Sequence, residues 1–351
     1  MRSKYREVSL SQEYNMQGDY SLHFEKLDQI DRTLVLYKSK FNKLDFSDMI
    51  SQYIESVEAP YLDLLIVDEA QDLTPLQWTM VEKMSKNAEE IIIAGDDDQA
   101  IHRWTGVNVQ RFVDSSDRVK VLNKSYRLPR SVWALAERIS RRIPNRIPKE
   151  FYPREEEGRV DWVWRVSDLP LDQGSWTIMA RTNSFVNDIA EELRSWGYFY
   201  SLKGRTSIKQ EHIEVMAIWK DLQKGYALPL DTIKIFYKGV PKTKHNAVVQ
   251  RGSTALLDML PPDAEVNYQE LVKDFGMLAP LDRDAKDIAR LSMDEKLYIA
   301  AIERRGESIE SNPRIKLSTI HAMKGGEDDN VAVYLGSTQA CMEGKNPEDE
   351  H

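Results

Sequence analysis

Two carboxylates that follow an apolar run are the residues of this sequence with the clearest chemical meaning. The run extends from Leu64 to Val67, and Asp68 and Glu69 come directly after it. A buried parallel strand that delivers acids to the carboxyl edge of an α/β sheet has this pattern. In a nucleotide hydrolase the first such acid holds Mg²⁺ and the second polarises the attacking water. A strand that ends in an acid beside a helix N-terminus has the same pattern without any catalytic role. The other clusters of the sequence must therefore decide between these two interpretations.

A second cluster, GDDDQAIHRWTG from Gly95 to Gly106, also follows an apolar run. Its Gln99 can sense a phosphate or the attacking water through the side-chain amide. Its Trp104 can stack on a nucleobase, which is worth about 1–3 kcal/mol per base. A tryptophan buried in the core is the alternative interpretation of Trp104.

The pair Tyr126-Arg127 follows a short predicted strand. A guanidinium pairs with phosphate through two hydrogen bonds, and a tyrosine ring can stack on a base. A surface salt bridge is the alternative for Arg127. Further along, Arg181 lies at another predicted strand end, and Asn183 is a suitable N-cap for the helix that follows.

The last cluster lies between Lys316 and Glu327. It places hydroxyl, imidazole and ammonium groups and the pair Gly325-Gly326 after a strand. A loop of this composition can bind phosphates through its backbone N–H groups.

The elements that must position these clusters alternate between strands and helices. A capped helix begins near Asp45, a helix is predicted over 75–85, and a second buried strand over 91–94. The order strand, helix, strand indicates a parallel sheet. A second α/β set follows, with helices predicted over 130–142, 184–196 and 211–224, and strands over 119–122, 159–166, 176–180, 198–202, 314–319 and 331–335. Residues 227–312 are typical of a mostly helical insertion, and the first 40 residues lack a clear period.

Composition limits the function classes. The chain has 351 residues, 41% of them apolar and 30% charged, and a net charge of −9. Its one cysteine, Cys341, excludes an intramolecular disulfide and suits a reducing cytoplasm. No apolar run is long enough to span a membrane, and the six histidines form no ligand cluster. The segment 127–154 is locally basic, which is most simply a solvated helix face.

Together and in this order, the clusters resemble the UvrD/Rep/PcrA-like branch of the superfamily 1 DNA helicases. Residues 68–72 resemble motif II, residues 95–99 with Trp104 resemble motif III, residues 125–127 resemble motif IV, and residues 319–325 resemble motif V. Residues 44–50 fit the segment that precedes motif II in this family. The resemblance covers most of the chain from about residue 43, except the insertion.

The resemblance implies an ATP and Mg²⁺ site. Asp68 would bind Mg²⁺, and Glu69 would be the catalytic base. Gln71 and Gln99 would couple the γ-phosphate to DNA movement. Tyr126 would stack on adenine, and Arg127 would contact the γ-phosphate. Gly325 and Glu327 would also belong to the nucleotide site, with Glu327 on the ribose.

The resemblance also implies a site for single-stranded DNA. Trp104 would stack on a base, His102 would lie beside it, and Thr319 and His321 would lie along the strand's backbone. The family usually has Tyr where His102 stands and Arg where Thr105 stands. It also has apolar residues on both sides of the motif V glutamate, where this chain has Gly326 and Asp328.

The fold expected from the resemblance is α/β, with parts of two RecA-like parallel-sheet domains of the P-loop NTPase type. Residues 1–42 would be a remnant of the first accessory domain and 43–118 part of the first RecA-like domain. The second RecA-like domain would occupy 119–226 and 313–351, interrupted by the second accessory domain at 227–312.

The phosphate-cradling loop G-x-x-x-x-G-K-[ST], which this chemistry requires, has no match at any of the sixteen glycines. Residues 346–351 resemble the acidic approach to motif VI and stop before its arginine. We therefore expect an interior piece of a helicase, cut at both ends, whose partners include the missing parts. We also expect the isolated chain to hydrolyse ATP negligibly.

The leading functional prediction is a segment of an ATP-dependent DNA helicase or translocase. It would move along single-stranded DNA, 3′ to 5′, as two RecA-like domains close on ATP. Two alternatives remain: a catalytically inactive remnant that binds single-stranded DNA or a partner protein, and the helicase part of a helicase–nuclease.

Overall fold

The structure, a computed structural model, describes residues 7–17, 22–100, 107, 109–115, 118–143, 147, 149–242 and 247–337. The chain divides into two compact units, and the division falls between Asp161 and Trp162. Both units combine helices with parallel strands, which confirms the α/β class. None of the helices in the described ranges has both the length and the apolarity needed to cross a membrane.

Unit 1, the part before Trp162, is built around two parallel strands and the helix that connects them. Strand β1 pairs with β2 in a register that sets Val67 beside Ile93. This confirms the predicted strand, helix, strand order. The elements of unit 1 are α1 (Leu10–Gln17), α2 (Phe24–Phe41), α3 (Phe46–Ser56), β1 (Leu62–Val67), α4 (Pro75–Ser85), β2 (Ala88–Ile93), α5 (Val109–Val113) and α6 (Arg130–Ser140).

The predicted helix starts are explained by local hydrogen bonds. The Asp45 side chain accepts from the backbone N–H of Asp48, whose side chain accepts in return from the Asp45 N–H. Thr74 and Gln77 make the same reciprocal pair at α4, where Pro75 occupies the first turn. Each capping box satisfies two backbone donors that the helix itself leaves unpaired.

Several elements differ from the sequence predictions. Helix α2 was not predicted, although its apolar residues Phe24, Leu27, Ile30, Leu34 and Phe41 follow a helical spacing; none of its described residues is buried. The segments 119–122 and 159–166 are not strands. Strand propensity needs a neighbouring strand to satisfy the backbone, and near 119–122 only a single bridge, from Lys124 to Tyr152, is formed. At the end of the second segment, Arg165 enters a short 3₁₀ turn over Val166–Asp168.

Unit 2 contains a five-stranded sheet in the order β5-β4-β8-β3-β9. Strands β3, β4, β8 and β9 are parallel, and β5 is antiparallel to β4. Its strands are β3 (Trp176–Ala180), β4 (Tyr200–Leu202), β5 (Arg205–Thr206), β6 (Leu228–Pro229), β7 (Glu265–Val266), β8 (Ile315–Thr319) and β9 (Asn330–Tyr334). Its helices are α7 (Asn183–Ser195), α8 (Gln210–Gln223), α9 (Leu230–Gly239), α10 (Thr254–Leu257), α11 (Tyr268–Asp274), α12 (Ala285–Ile288) and α13 (Met293–Arg304).

The segment 227–312 is mostly helical, as predicted, and adds a small β6–β7 pair that the sequence did not indicate. It shares one apolar core with the sheet of unit 2. Tyr298 from α13 donates to the carbonyl of Tyr198 at 2.6 Å, and the Trp219 indole donates to the carbonyl of Arg283 at 2.8 Å. Unit 2 begins at Trp162, whereas the predicted second domain begins at Val119; the RecA-like assignment and the domain limits stay predictions.

Candidate functional site

The carboxyl edge of the β1–β2 sheet carries the first group of candidate residues. Asp68 and Glu69 leave β1, and the loop from Gly95 leaves β2. The two strand ends are held together by backbone hydrogen bonds, from the Ala94 N–H to the Val67 carbonyl at 2.8 Å and from the Ala70 N–H to the Ala94 carbonyl at 3.0 Å. Polar side chains from the two strands therefore meet at one edge.

Glu69 occupies a strained turn at this edge. Its φ is 51°, in the left-handed region, which costs a non-glycine residue about 1–3 kcal/mol. Its side chain is exposed, and its Oε2 accepts a hydrogen bond from Gln71 Nε2 at 2.6 Å. The turn thus presents the carboxylate to solvent while the neighbouring amide holds its orientation.

Gln71 links the two strand ends. Its side chain is fully buried, and while its Nε2 donates to Glu69, its Oε1 accepts from the backbone N–H of Asp96 at 2.9 Å. Gly95 leaves room for this link, since a Cβ there would lie 2.4 Å from Gln71 Oε1. A movement of the loop after β2 would therefore change the position of the Gln71 amide and, through it, that of the Glu69 carboxylate.

Asp68 has the features of a Mg²⁺ ligand. It is exposed, and its Oδ1 accepts from the Glu69 N–H at 2.8 Å. Among the described residues no lysine or arginine pairs with it, so its other lone pairs remain available. Mg²⁺ is commonly held by one or two carboxylates together with waters and substrate phosphates, which fits this arrangement.

The aspartate loop, Asp96–Gln99, carries the second predicted glutamine. Gln99 Nε2 donates to Asp96 Oδ2 at 2.7 Å. The carboxylates of Asp96, Asp97 and Asp98 converge within 4.8 Å of one another. The Lys149 ammonium lies among them, 2.5 Å from Asp96 Oδ1 and 3.3 Å from Asp98 Oδ2, and it also pairs with Asp97. A lysine therefore fills the place that a metal ion would take.

Two ionisation equilibria in this cluster are shifted. Burial alone would raise the pKa of Asp96, but hydrogen bonds from Lys149 and Gln99 outweigh it and hold that pKa below its usual range. Burial alone would lower the pKa of Lys149, but its bonds to Asp96 and Asp97 raise it above the usual range. Both groups are therefore charged at neutral pH.

Tyr126 and Arg127 lie at the surface of unit 1. Tyr126 is 79% exposed, with the Lys124 ammonium 5.0 Å from its ring centroid. The Ser125 hydroxyl accepts from the N–H groups of Arg127 and Leu128, at 3.3 and 3.1 Å, and so fixes the turn that presents both side chains. None of the described residues of unit 1 buries the Tyr126 ring.

In unit 2 the candidate residues follow β8, beside the end of β3. The Ile320 N–H donates to the Ala180 carbonyl at 3.1 Å, and Thr319 Oγ1 accepts from the Ala322 N–H at 3.3 Å. His321 is exposed at the start of a 3₁₀ turn. Gly325 has a φ of 77°, which favours glycine.

Around that strand end, Glu327 is exposed, and Arg181 directly follows β3. The N-cap of α7 is Thr182, whose Oγ1 accepts from the Phe185 N–H at 3.4 Å, so the prediction that Asn183 caps this helix was wrong by one residue.

Asp328 explains one departure from the motif V pattern. Its side chain is only 5% exposed and accepts from the Ser175 hydroxyl, from Thr177 Oγ1 at 2.9 Å and from Lys316 Nζ at 3.1 Å. Burial would raise the pKa of Asp328, but these bonds lower it overall. An acid replaces an apolar residue here because β3 and β8 supply donors for it.

Comparison with known proteins finds similarity to UvrD-type DNA helicases. A sequence model of the UvrD/REP helicase N-terminal domain matches residues 1–120. ATP-dependent DNA helicase PcrA of Bacillus subtilis (strain 168) is 25% identical over 210 residues, covering 53% of this chain and 26% of that protein. A probable DNA helicase II homolog of Mycoplasma genitalium is 21% identical over 411 residues, covering 94% of this chain and 58% of that protein. The chain is therefore similar to the UvrD-like DNA helicases over the residues that these matches cover.

A third relative, the ATP-dependent DNA helicase Rep of Buchnera aphidicola subsp. Schizaphis graminum, is 29% identical over 113 residues, covering 30% of this chain and 16% of that protein. The chain spans 26%, 58% and 25% of the lengths of the first three curated relatives it matches. The matched residues 1–120 include both the edge at Asp68 and the aspartate loop.

The structure joins three of the candidate residues: Glu69, Gln71 and Gln99 share one hydrogen-bond network through Asp96. His102, Trp104 and Thr105 lie outside the described residues. The sequence did not single out Lys149, although three consecutive aspartates after a strand require a nearby cation.

Proposed function

We propose that this chain carries the hydrolytic and nucleotide-sensing residues of an ATP-dependent DNA helicase or translocase that acts on single-stranded DNA. The observation that carries the proposal is the buried Gln71 amide. It holds the Glu69 carboxylate at one strand end and the backbone of Asp96, the partner of Gln99, at the next. A motor needs this kind of link between its catalytic base and a loop that can move.

Asp68 and Glu69 would have different roles at the edge of the sheet. Asp68 would be the Mg²⁺ ligand, and the bound ion would neutralise charge on the ATP phosphates. Glu69 would accept a proton from the attacking water, and its strained backbone and its bond from Gln71 hold it in place for that role. Gln99 is linked to Glu69 through Asp96 and Gln71, and its amide would respond to the γ-phosphate.

The remaining proposed roles belong to residues that are exposed within their own units. Tyr126 would stack on adenine and Arg127 would pair with the γ-phosphate. Gly325 and Glu327 would complete the nucleotide site at the ribose. The proposal includes two RecA-like domains that close on ATP, movement from 3′ to 5′, and a cytoplasmic location.

Each unit contains residues that we propose as contacts for single-stranded DNA. His102 and Trp104 come directly after the aspartate loop in the sequence, and Thr319 and His321 follow β8. The net charge of −9 means that binding must rely on local basic and aromatic groups rather than on the overall field. We therefore expect an affinity that falls with added salt.

The 351-residue chain contains no G-x-x-x-x-G-K-[ST] loop. We propose that this chain by itself binds single-stranded DNA and turns over ATP negligibly, because its sequence holds no loop of the kind that binds the β- and γ-phosphates. The same feature keeps a second candidate open, in which the chain binds DNA or a partner protein without catalysis.

Two measurements on the purified chain test the proposal. In fluorescence anisotropy with a labelled oligo-dT, we expect binding, and Trp104→Ala should weaken it by about 1–3 kcal/mol. The absence of DNA binding, or an unchanged affinity in Trp104→Ala, would contradict the DNA site. In a coupled ATPase assay with oligo-dT, we expect no more turnover than in Glu69→Gln. DNA-stimulated turnover that Glu69→Gln abolishes would reject the predicted inactivity and establish Glu69 as the base.

A further inference from the structure

Lys149 has no role in the function proposed above. Its side chain is only 8% exposed, and its ammonium contacts all three carboxylates of the aspartate loop. Asp96, which receives its 2.5 Å hydrogen bond, is also the acceptor for Gln99 Nε2. The lysine therefore acts on the proposed γ-phosphate sensor through one intervening carboxylate.

The backbone around Lys149 reaches a second proposed nucleotide loop. The Ile147 N–H donates to Asp97 Oδ2 at 2.8 Å, on the aspartate loop. A few residues later, Tyr152 exchanges backbone hydrogen bonds with Asn123 and Ser125 at 2.7 and 2.8 Å. This segment therefore contacts the aspartate loop at one end and the base of the Tyr126 turn at the other.

We propose that Lys149 is a positioning residue, which holds the aspartate loop in the conformation that orients Gln99 and Gln71 and fastens that loop to the turn carrying Tyr126 and Arg127. The inference rests on the proposed function and adds a residue to its site. It assigns Lys149 no contact with nucleotide or DNA.

The physical reason is the charge balance of the cluster. Without the ammonium, three carboxylates within 4.8 Å would repel one another in a partly buried site. The loop could relieve that repulsion only by separating its side chains, and Asp96 would then release Gln99. Removing one partner from a buried ionic cluster is much costlier than removing one from an exposed pair.

The test compares Lys149→Met with Lys149→Arg, which keeps the charge. Lys120→Met is the matched control, because Lys120 is exposed and has no ion pair among the described residues. Hydrogen exchange followed by mass spectrometry reports the order of the loop through peptides covering residues 94–100, and peptides from β1 and α4 report the rest of unit 1. Anisotropy with labelled oligo-dT reports the function, since the loop leads directly into the proposed DNA contact at Trp104.

In Lys149→Met we expect exchange in the loop to accelerate about tenfold or more, with β1 and α4 unchanged, and DNA affinity to fall about tenfold. Lys149→Arg should restore most of both, and Lys120→Met should match the original chain. Unchanged loop exchange in Lys149→Met would overturn the inference. Faster exchange throughout unit 1 would also overturn it, because the lysine would then be only structural.

The two readouts separate this inference from the proposed function. An original chain that binds no oligo-dT would reject the DNA function, while the exchange data would still decide the role of Lys149. DNA binding that Lys149→Met leaves unchanged would reject the inference and leave the function standing.

Discussion

The buried carboxylate of Asp328 makes a measurable prediction about unit 2. Asp328→Ala removes the acceptor for the hydroxyls of Ser175 and Thr177 and for the Lys316 ammonium. A hydrogen bond to a charged group contributes about 1.5–3 kcal/mol, and such bonds within one cluster are not additive. Lys316 is 49% exposed, so its share is at most about 1 kcal/mol. We expect a loss of about 3–4 kcal/mol in the free energy of unfolding.

The assay is urea unfolding followed by far-ultraviolet circular dichroism. Asp329→Ala is the matched control, because the side chain of Asp329 makes only a 3.4 Å contact with Ser175. The control should stay within about 0.5 kcal/mol of the original chain. Equal midpoints for Asp328→Ala and Asp329→Ala would refute the assignment of a stabilising role to the buried acid.

The same residue predicts a pH dependence. The pKa of Asp328 is lower in the folded chain than its ordinary value of 3.8. Its stabilisation is therefore fully present above pH 3.8 and is lost as the pH falls through the folded-state pKa. The gap in stability between the original chain and Asp328→Asn should be constant from pH 7 to about pH 5 and narrow below about pH 4. A gap of equal size at every pH would contradict this reasoning.

Three further substitutions follow from unit 1. Gly95→Ala should destabilise the chain by about 1–3 kcal/mol in urea unfolding, because the new Cβ would lie 2.4 Å from Gln71 Oε1 and 2.9 Å from a Phe112 ring carbon. An unchanged midpoint would show that the Gln71 link adjusts freely. Lys38→Met should cost about 2–4 kcal/mol in urea unfolding, because the two carboxylates at the start of α3 would remain partly buried without the Lys38 ammonium. A cost below about 0.5 kcal/mol would place these ion pairs among ordinary surface bridges. Tyr126→Ala should change the melting temperature very little, because the ring is 79% exposed, and a fall of several degrees would reveal a structural role for Tyr126.

Local features of this chain were predictable because they depend on neighbours in sequence. The capping box at Asp45, the proline at the start of α4 and the alternation of strands and helices through 62–93 all appear where the residue pattern indicates them. Helix starts are set by side chains within three residues, so the signal is contained in a short window.

Features without a local signal were missed or misassigned. The segments 119–122 and 159–166 have strand-forming residues, yet they pair with no strand among the described residues. Helix α2 was overlooked although its apolar residues are three or four positions apart, and none of its described residues is buried. For the two segments the deciding factor is whether another strand pairs with them, which composition alone does not reveal.

The sequence by itself determined which residue types are available for chemistry and in what order, from the acids at 68–69 to the glycines at 325–326. Only the tertiary structure decided that Gln71 bridges two strand ends, that Lys149 pairs with three aspartates some fifty residues away, and that Asp328 accepts from the hydroxyls of Ser175 and of Thr177 on β3. The reason is physical: hydrogen bonds and ion pairs act over a few ångströms, and folding alone determines which distant residues come that close.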